Sequence, residues 1–180
     1  VLAASLLAWS QVCQHSFTVN LFFDDLHFTL VEAGYMLMVA QLGGFVGRPF
    51  WGWVADRMRD SRRTMTILVA ILATAEIATA TLGAGWPVAA MVLLFFVFGA
   101  TASGWHGAFL AEVARLAPAG RVASGTGGSL VLTNANSVIA PLVFANAFVG
   151  LKSYALTFGL LAIPSIGALD RKSTRLNSSH

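Results

Sequence analysis

The sequence predicts an all-α integral membrane protein with six transmembrane helices. Three observations predict it. Only 11% of the 180 residues are charged, while 57% are hydrophobic. A soluble domain carries roughly 25% charged residues, so this chain lacks the side chains to cover itself in water. Apolar runs near the roughly 20 residues that cross a bilayer recur between charged or Gly/Pro-rich breaks. Arginines gather in alternate connections. These features exclude a soluble enzyme, a nucleic-acid-binding domain and a disordered chain. A membrane barrel would show short segments of alternating polarity, whereas Met91 to Phe98 is continuously apolar. In lipid, a helix satisfies every backbone polar group within its own segment.

The first span covers about residues 1–23 and ends at Asp24-Asp25, adjacent carboxylates that point apart. Its one cysteine, Cys13, reads as small apolar filler. The second span covers about 30–54 and is broken by Asp56-Arg57-Met58-Arg59-Asp60. The third covers about 65–82, closed by Gly83 to Pro87. The fourth covers about 88–110 and stops before Arg115, Pro118 and Arg121. The fifth, about 123–149, opens with Gly125, Gly127 and Gly128 and contains Pro141, which implies close packing or a hinge and then a kink. The sixth covers about 153–169. Residues 170–180 read as a polar, adaptor-like tail outside the fold. Arg171, Lys172 and Arg175 account for the whole formal charge of +3, so that charge implies no acidic partner and no nucleic acid.

Charge placement gives the topology. Arg57, Arg59, Arg62, Arg63, Arg115 and Arg121 fall on one side of the spans, and Lys152 alone on the other. The positive-inside rule puts the Arg-rich loops in the cytoplasm. The expected setting is a plasma membrane, of the bacterial inner-membrane type. The chain begins at Val1, inside an apolar run with no cleavable signal pattern. A partial chain is therefore expected.

The segment Gly52 to Arg63 carries the sharpest pattern. A generic cytoplasmic loop explains its arginines but not Asp56 at the membrane edge. An aspartate there can accept from exposed N–H groups at a neighbouring helix start, or pair with an arginine. Such a contact would exist in one arrangement of the bundle and act as a latch. Here the sequence resembles the major facilitator superfamily of secondary transporters. The signature of that family reads Gly, three residues, Asp, a basic residue, one residue, Gly, then two basic residues. Gly52, Asp56, Arg57, Arg62 and Arg63 match it, whereas Arg59 replaces the second Gly and the basic pair comes about two residues late. The fourth span lacks the arginine usual in the first half of the family, and the fifth has Ala140-Pro141 in place of Gly-Pro. The Gly104 to Gly107 and Leu110 to Pro118 stretches also look like second-half members. The resemblance covers about residues 1–169. It implies the second half of a twelve-helix bundle that moves a small solute by alternating access, with the first half missing as a partner.

Polar groups at membrane depth usually face a bundle interior or a cavity. Gln11, Gln14 and His15 share one face of the first span by their three- and four-residue spacing. They are candidates to line a solute cavity, or to bond between helices, and the resemblance favours the cavity. Gln41, a candidate for the cavity or for packing, lies beside Gly43, Gly44 and Gly47, and the Gly43–Gly47 spacing permits close helix approach. Trp105 and His106 could contact solute or anchor at the interface. Asn134 and Ser137 share a face of the fifth span, as candidates for the cavity or for helix–helix hydrogen bonding. Glu76, midway in the third span, could carry a coupling proton or bond Thr74 or Thr79. The resemblance places it on a peripheral helix. No catalytic cluster, phosphate loop or zinc motif is present, so no enzyme activity and no cofactor are expected. The expected partners are the lipid bilayer, a small solute and, where Glu76 serves coupling, a proton. The alternative is a membrane protein without transport activity, such as a membrane enzyme or assembly partner.

Overall fold

The computed structural model describes the backbone of residues 2–58, 61–83, 85–107, 109 and 122–177. Side chains are described for these except 2–4, 61–62, 122–134, 136–137 and 167–177. The described residues form long helices joined by short connections. In chain order these are α1 (Leu2–Asn20), α2 (Leu30–Met58), α3 (Ser61–Ala80), α4 (Val88–Ala102), α5 (Val122–Leu151) and α6 (Tyr154–Asn177). Three stretches are long and apolar enough to cross a membrane, namely Leu30–Met58, Arg63–Ala80 and Val88–Gly107. Shorter apolar helical stretches cover Val138–Leu151 and Tyr154–Ile166.

Helix ends differ from the sequence expectation where charge was read as a break. Asp56 and Arg57 lie on the last turn of α2, and Arg62 and Arg63 on the first turn of α3. Charge at a helix end that reaches beyond the hydrocarbon layer is solvated and does not break the helix. The cation Arg57 also suits the negative end of the α2 dipole. The last helix likewise runs past residue 169 to Asn177. The helix of α5 is continuous through Gly125, Gly127 and Gly128.

Local chemistry sets several boundaries. After α1 the chain widens into a π turn, Leu21–Asp25, and His27 takes a positive φ of 57° as it leaves. Thr29 then starts α2 with a capping box. Its N–H donates to Glu32 Oε2 at 2.9 Å, and the Glu32 N–H donates to Thr29 Oγ1 at 3.3 Å. Asp25 caps α6 from a distance in sequence. Its Oδ2 accepts from Ser153 Oγ at 2.9 Å and from the Ala155 N–H at 3.0 Å. A carboxylate there meets the positive end of the α6 dipole.

Helix α1 is central and touches all five other helices, while α2 packs chiefly on α4, and α3 on α6. Lipid supplies no hydrophobic drive between helices, so close packing and hydrogen bonds must hold them. The α2–α4 seam is built on glycine. A Cβ added at Gly43 would collide with the Phe96 carbonyl, at Gly47 with that of Ala100, and at Gly99 with that of Ala40. The rising partner numbers show that α2 and α4 run parallel, and the glycines fulfil the expected close approach. Among the aliphatic residues of the core runs a line of aromatic rings. Phe28, Phe22, Phe95, Phe98, Phe158, Phe144 and Phe17 form a chain of ring contacts with successive centroids 5.5, 4.8, 5.9, 6.0, 4.9 and 4.3 Å apart. Each such pair contributes about 0.5–1.5 kcal/mol beyond area burial, and together they link α1, α4, α5 and α6.

Candidate functional site

Two polar groupings lie within the apolar bundle. The first joins α1 to α4. Helix α4 ends at Ala102, turns at Ser103–Gly104, and resumes helical geometry over Trp105–Gly107. The sequence expectation ran the fourth span unbroken to about 110. The turn places five side chains of that segment and α1 together. Trp105 Nε1 donates to Gln11 Oε1 at 3.3 Å. Ser103 Oγ lies 3.5 Å from His15 Nε2. His106 Nδ1 donates to the Ser103 carbonyl at 3.1 Å, which commits that nitrogen as the N–H. The Trp105 and His106 rings stack with centroids 4.1 Å apart. Trp105 is buried, whereas Gln11, His15 and His106 are half-buried.

Helix α2 forms the open edge of this grouping. A Cβ at Gly44 would sit 2.8 Å from Ser103 Cβ, and one at Gly107 would sit 2.8 Å from the Arg48 carbonyl oxygen. Only bare backbone on these two helices allows that approach. Arg48 is exposed, and its charge acts on both His15 and His106. Gln41, seven residues before Arg48, is exposed on the same stripe of α2. Of the two readings of Gln41, cavity or packing, the α2–α4 packing falls to the glycines and Gln41 stays exposed. Arg48 was missed in the sequence because arginines were weighed as loop residues. The signal was available, since a charge inside an apolar span marks a site.

Gln14 differs from Gln11 and His15 in burial. It is fully buried, and neither side-chain polar atom has a hydrogen-bond partner among the described residues. It lies one turn from Gln11 but inside the bundle rather than at its open edge. Such an unsatisfied amide costs about 1–3 kcal/mol. Asn134, Ser137 and Arg62 lie on described helices, but their side chains lie outside the described residues. The Leu110 to Pro118 stretch also lies outside them.

The second grouping is a buried tie. Glu76 on α3 accepts from Ser10 on α1 and, at 3.3 Å, from Ser165 on α6. All three residues are buried. The expected partners Thr74 and Thr79 instead donate to the Ala70 and Ala75 carbonyls of their own helix, each at 2.8 Å. A threonine within a helix reaches the carbonyl four residues back with little rotamer cost, and that local bond wins. Cys13 fulfils the filler reading, being buried with its Sγ 3.8 Å from the Ala140 carbonyl. Asp56 and Arg57 are exposed on the last turn of α2. No group of three or more His, Cys, Asp or Glu able to hold a metal occurs among the described residues.

An apolar helical bundle with polar groups at one open edge is what a solute pathway requires. A family model described as Major Facilitator Superfamily matches residues 1–169. The chain belongs to the major facilitator superfamily. It is therefore a membrane-embedded protein of a transporter family, with lipid around it and a small solute as its cargo class. No curated protein matches the chain. Within this superfamily chain, the signature residues Asp56, Arg57 and Arg63 sit at the facing ends of α2 and α3, while Gly52 lies against Gly107 beside the polar grouping.

Proposed function

We propose that this superfamily chain is the second six-helix half of a secondary transporter that moves a small solute by alternating access. The observation that carries the reading is the half-buried polar edge formed by Gln11, His15 and His106 beside exposed Arg48 and Gln41. Polar groups facing lipid are expensive. An edge of this kind fits a water-filled path shared with another six-helix half, whose rocking exposes a midplane site to each side in turn. Trp105 and Ser103 would hold the edge in shape through their bonds to Gln11 and His15. Asn134 and Ser137 belong to the same proposed lining, and Gln14 supports it from within.

Asp56, with Gly52, Arg57, Arg62 and Arg63, would latch one state from the Arg-rich cytoplasmic side. Replacing Asp56 by Asn in the complete transporter is expected to slow transport about tenfold, the order of a single coupling contact. Unchanged transport would remove the latch. For Glu76, the geometry favours a structural tie of α1, α3 and α6 over a travelling proton, because both oxygens are engaged by serines. The decisive experiment compares solute uptake by proteoliposomes holding the complete transporter with uptake by those holding this 180-residue chain alone. Uptake is expected only with the complete protein. Uptake by the chain alone would overturn the half reading, and no uptake by either would overturn the transport reading.

A further inference from the structure

Arg48 is used neither by the topology nor by the latch. It is residue 19 of the 29 in α2, so it lies about 27 Å from the start of the helix and about 15 Å from its end. With a hydrocarbon layer of about 30 Å, that places its Cα well inside the membrane. The Cα–Cβ bond tilts back toward the helix start, so the side chain sets out toward the middle of the bilayer and not toward the Asp56 end. A lone cation there needs an anion or a wet cavity.

The described carboxylates do not supply that anion. Glu76 is engaged by Ser10 and Ser165, Asp25 caps α6, and Glu32 closes the box with Thr29. Among the described residues none forms an ion pair with Arg48. A Cβ on Gly107 would sit 2.8 Å from the Arg48 carbonyl oxygen, which sets Arg48 beside the segment that holds His106 and meets His15, and its charge acts on both imidazoles. His106 commits Nδ1 to the Ser103 carbonyl, which leaves Nε2 for another group. The next residue, Pro49, lies inside the helix and has no N–H to donate to the Phe45 carbonyl. A bare carbonyl thus adds a further polar group one turn before Arg48.

We propose that Arg48, flanked by His15 and His106, binds the carboxylate of a small organic anion that is the transported solute. A guanidinium presents paired N–H donors that match the two oxygens of a carboxylate. The solute would bring the counter-charge that the chain itself withholds. The inference deepens the transport reading and rests on it.

The test uses the purified 180-residue chain in detergent, with thermal unfolding as the readout. Sodium acetate and sodium succinate are compared with sodium phosphate, sodium chloride and glucose, the salts at matched ionic strength. A saturable rise in Tm is expected with acetate or succinate and not with chloride or glucose. The rise is expected to vanish in Arg48→Gln and to need about tenfold more anion in Arg48→Lys, a loss worth about 1.4 kcal/mol. The lysine variant carries the test if the glutamine variant fails to fold. No rise with either carboxylate, an equal rise with chloride, a rise with phosphate alone, or an unchanged response in Arg48→Lys overturns the proposal. Uptake of uncharged solutes alone by the complete transporter also overturns it while leaving the transport reading intact. Carboxylate binding without uptake by the complete transporter overturns the transport reading instead.

Discussion

Replacing Gly47 by Ala should separate two helices that nothing else can hold so close. The added Cβ would collide with the Ala100 carbonyl oxygen and stand 2.7 Å from Ala100 Cα. Ordinary contact begins at 3.4 Å, so α2 and α4 must part by about 0.7 Å at the Cα and by more at the oxygen. Both obstacles are backbone, and no rotamer change can clear them. Overpacking of this kind costs about 1–3 kcal/mol. The better helix propensity of alanine returns about 1 kcal/mol, leaving a net loss of up to about 2 kcal/mol. At about 2–4 °C per kcal/mol for a chain of this size, Tm in detergent should fall by up to about 8 °C. Gly34 is the internal control, because nothing lies within 4 Å of a Cβ built there. Gly34→Ala should hold Tm or raise it. If Gly47→Ala melts at or above both the unaltered chain and Gly34→Ala, the backbone-contact account of the α2–α4 seam is wrong.

Other substitutions probe the polar bonds. Glu76→Ala should lower stability by about 1–3 kcal/mol by stranding buried Ser10, while Ser165 keeps its bond to the Leu161 carbonyl at 3.2 Å, whereas Glu76→Gln should keep most of the stability and the transport rate of the complete protein. Loss of coupled transport in Glu76→Gln with normal stability would instead assign Glu76 to the coupling proton. Asp25→Ala removes the cap of α6 and should cost about 1 kcal/mol, read as a lower Tm that Asp25→Asn largely restores. Trp105→Phe keeps the buried ring but removes the bond to Gln11, and should cost about 1 kcal/mol in the same melt. A loss no greater than for an exposed substitution such as Phe45→Leu would show that this bond does not hold α1 to α4.

The all-helical, membrane-spanning character was legible because apolar length is a one-dimensional property. The glycine seam was also legible, since the Gly43–Gly47 spacing has one common use. The ends of α2 and α3 were less so, because charges at Asp56 to Arg63 mark the edge of the membrane and not the edge of a helix. Thr29 and Glu32 stood at capping-box spacing, a signal that was present and not used. The partners of Glu76 were beyond reach of the sequence. Ser10 and Ser165 lie 66 and 89 residues away, and only the packing of three helices selects them over the nearby Thr74 and Thr79. The separation of Gln14 from Gln11 and His15 arises in the same way. A helical wheel gives a shared face, but the neighbours decide which part of that face is closed.

The Asp25 cap has a consequence for how the bundle is made. During synthesis Asp25 emerges long before Ser153 and Ala155, the groups it will bind 128 and 130 residues later. Until α6 arrives, the carboxylate at the end of the first hairpin has no helix to cap. Once it does, the start of α6 is fastened to the turn that follows α1. Membrane insertion can proceed helix by helix, but this lock waits for α6. A chain cut short before Ser153 would leave that lock open, however well its earlier helices had formed.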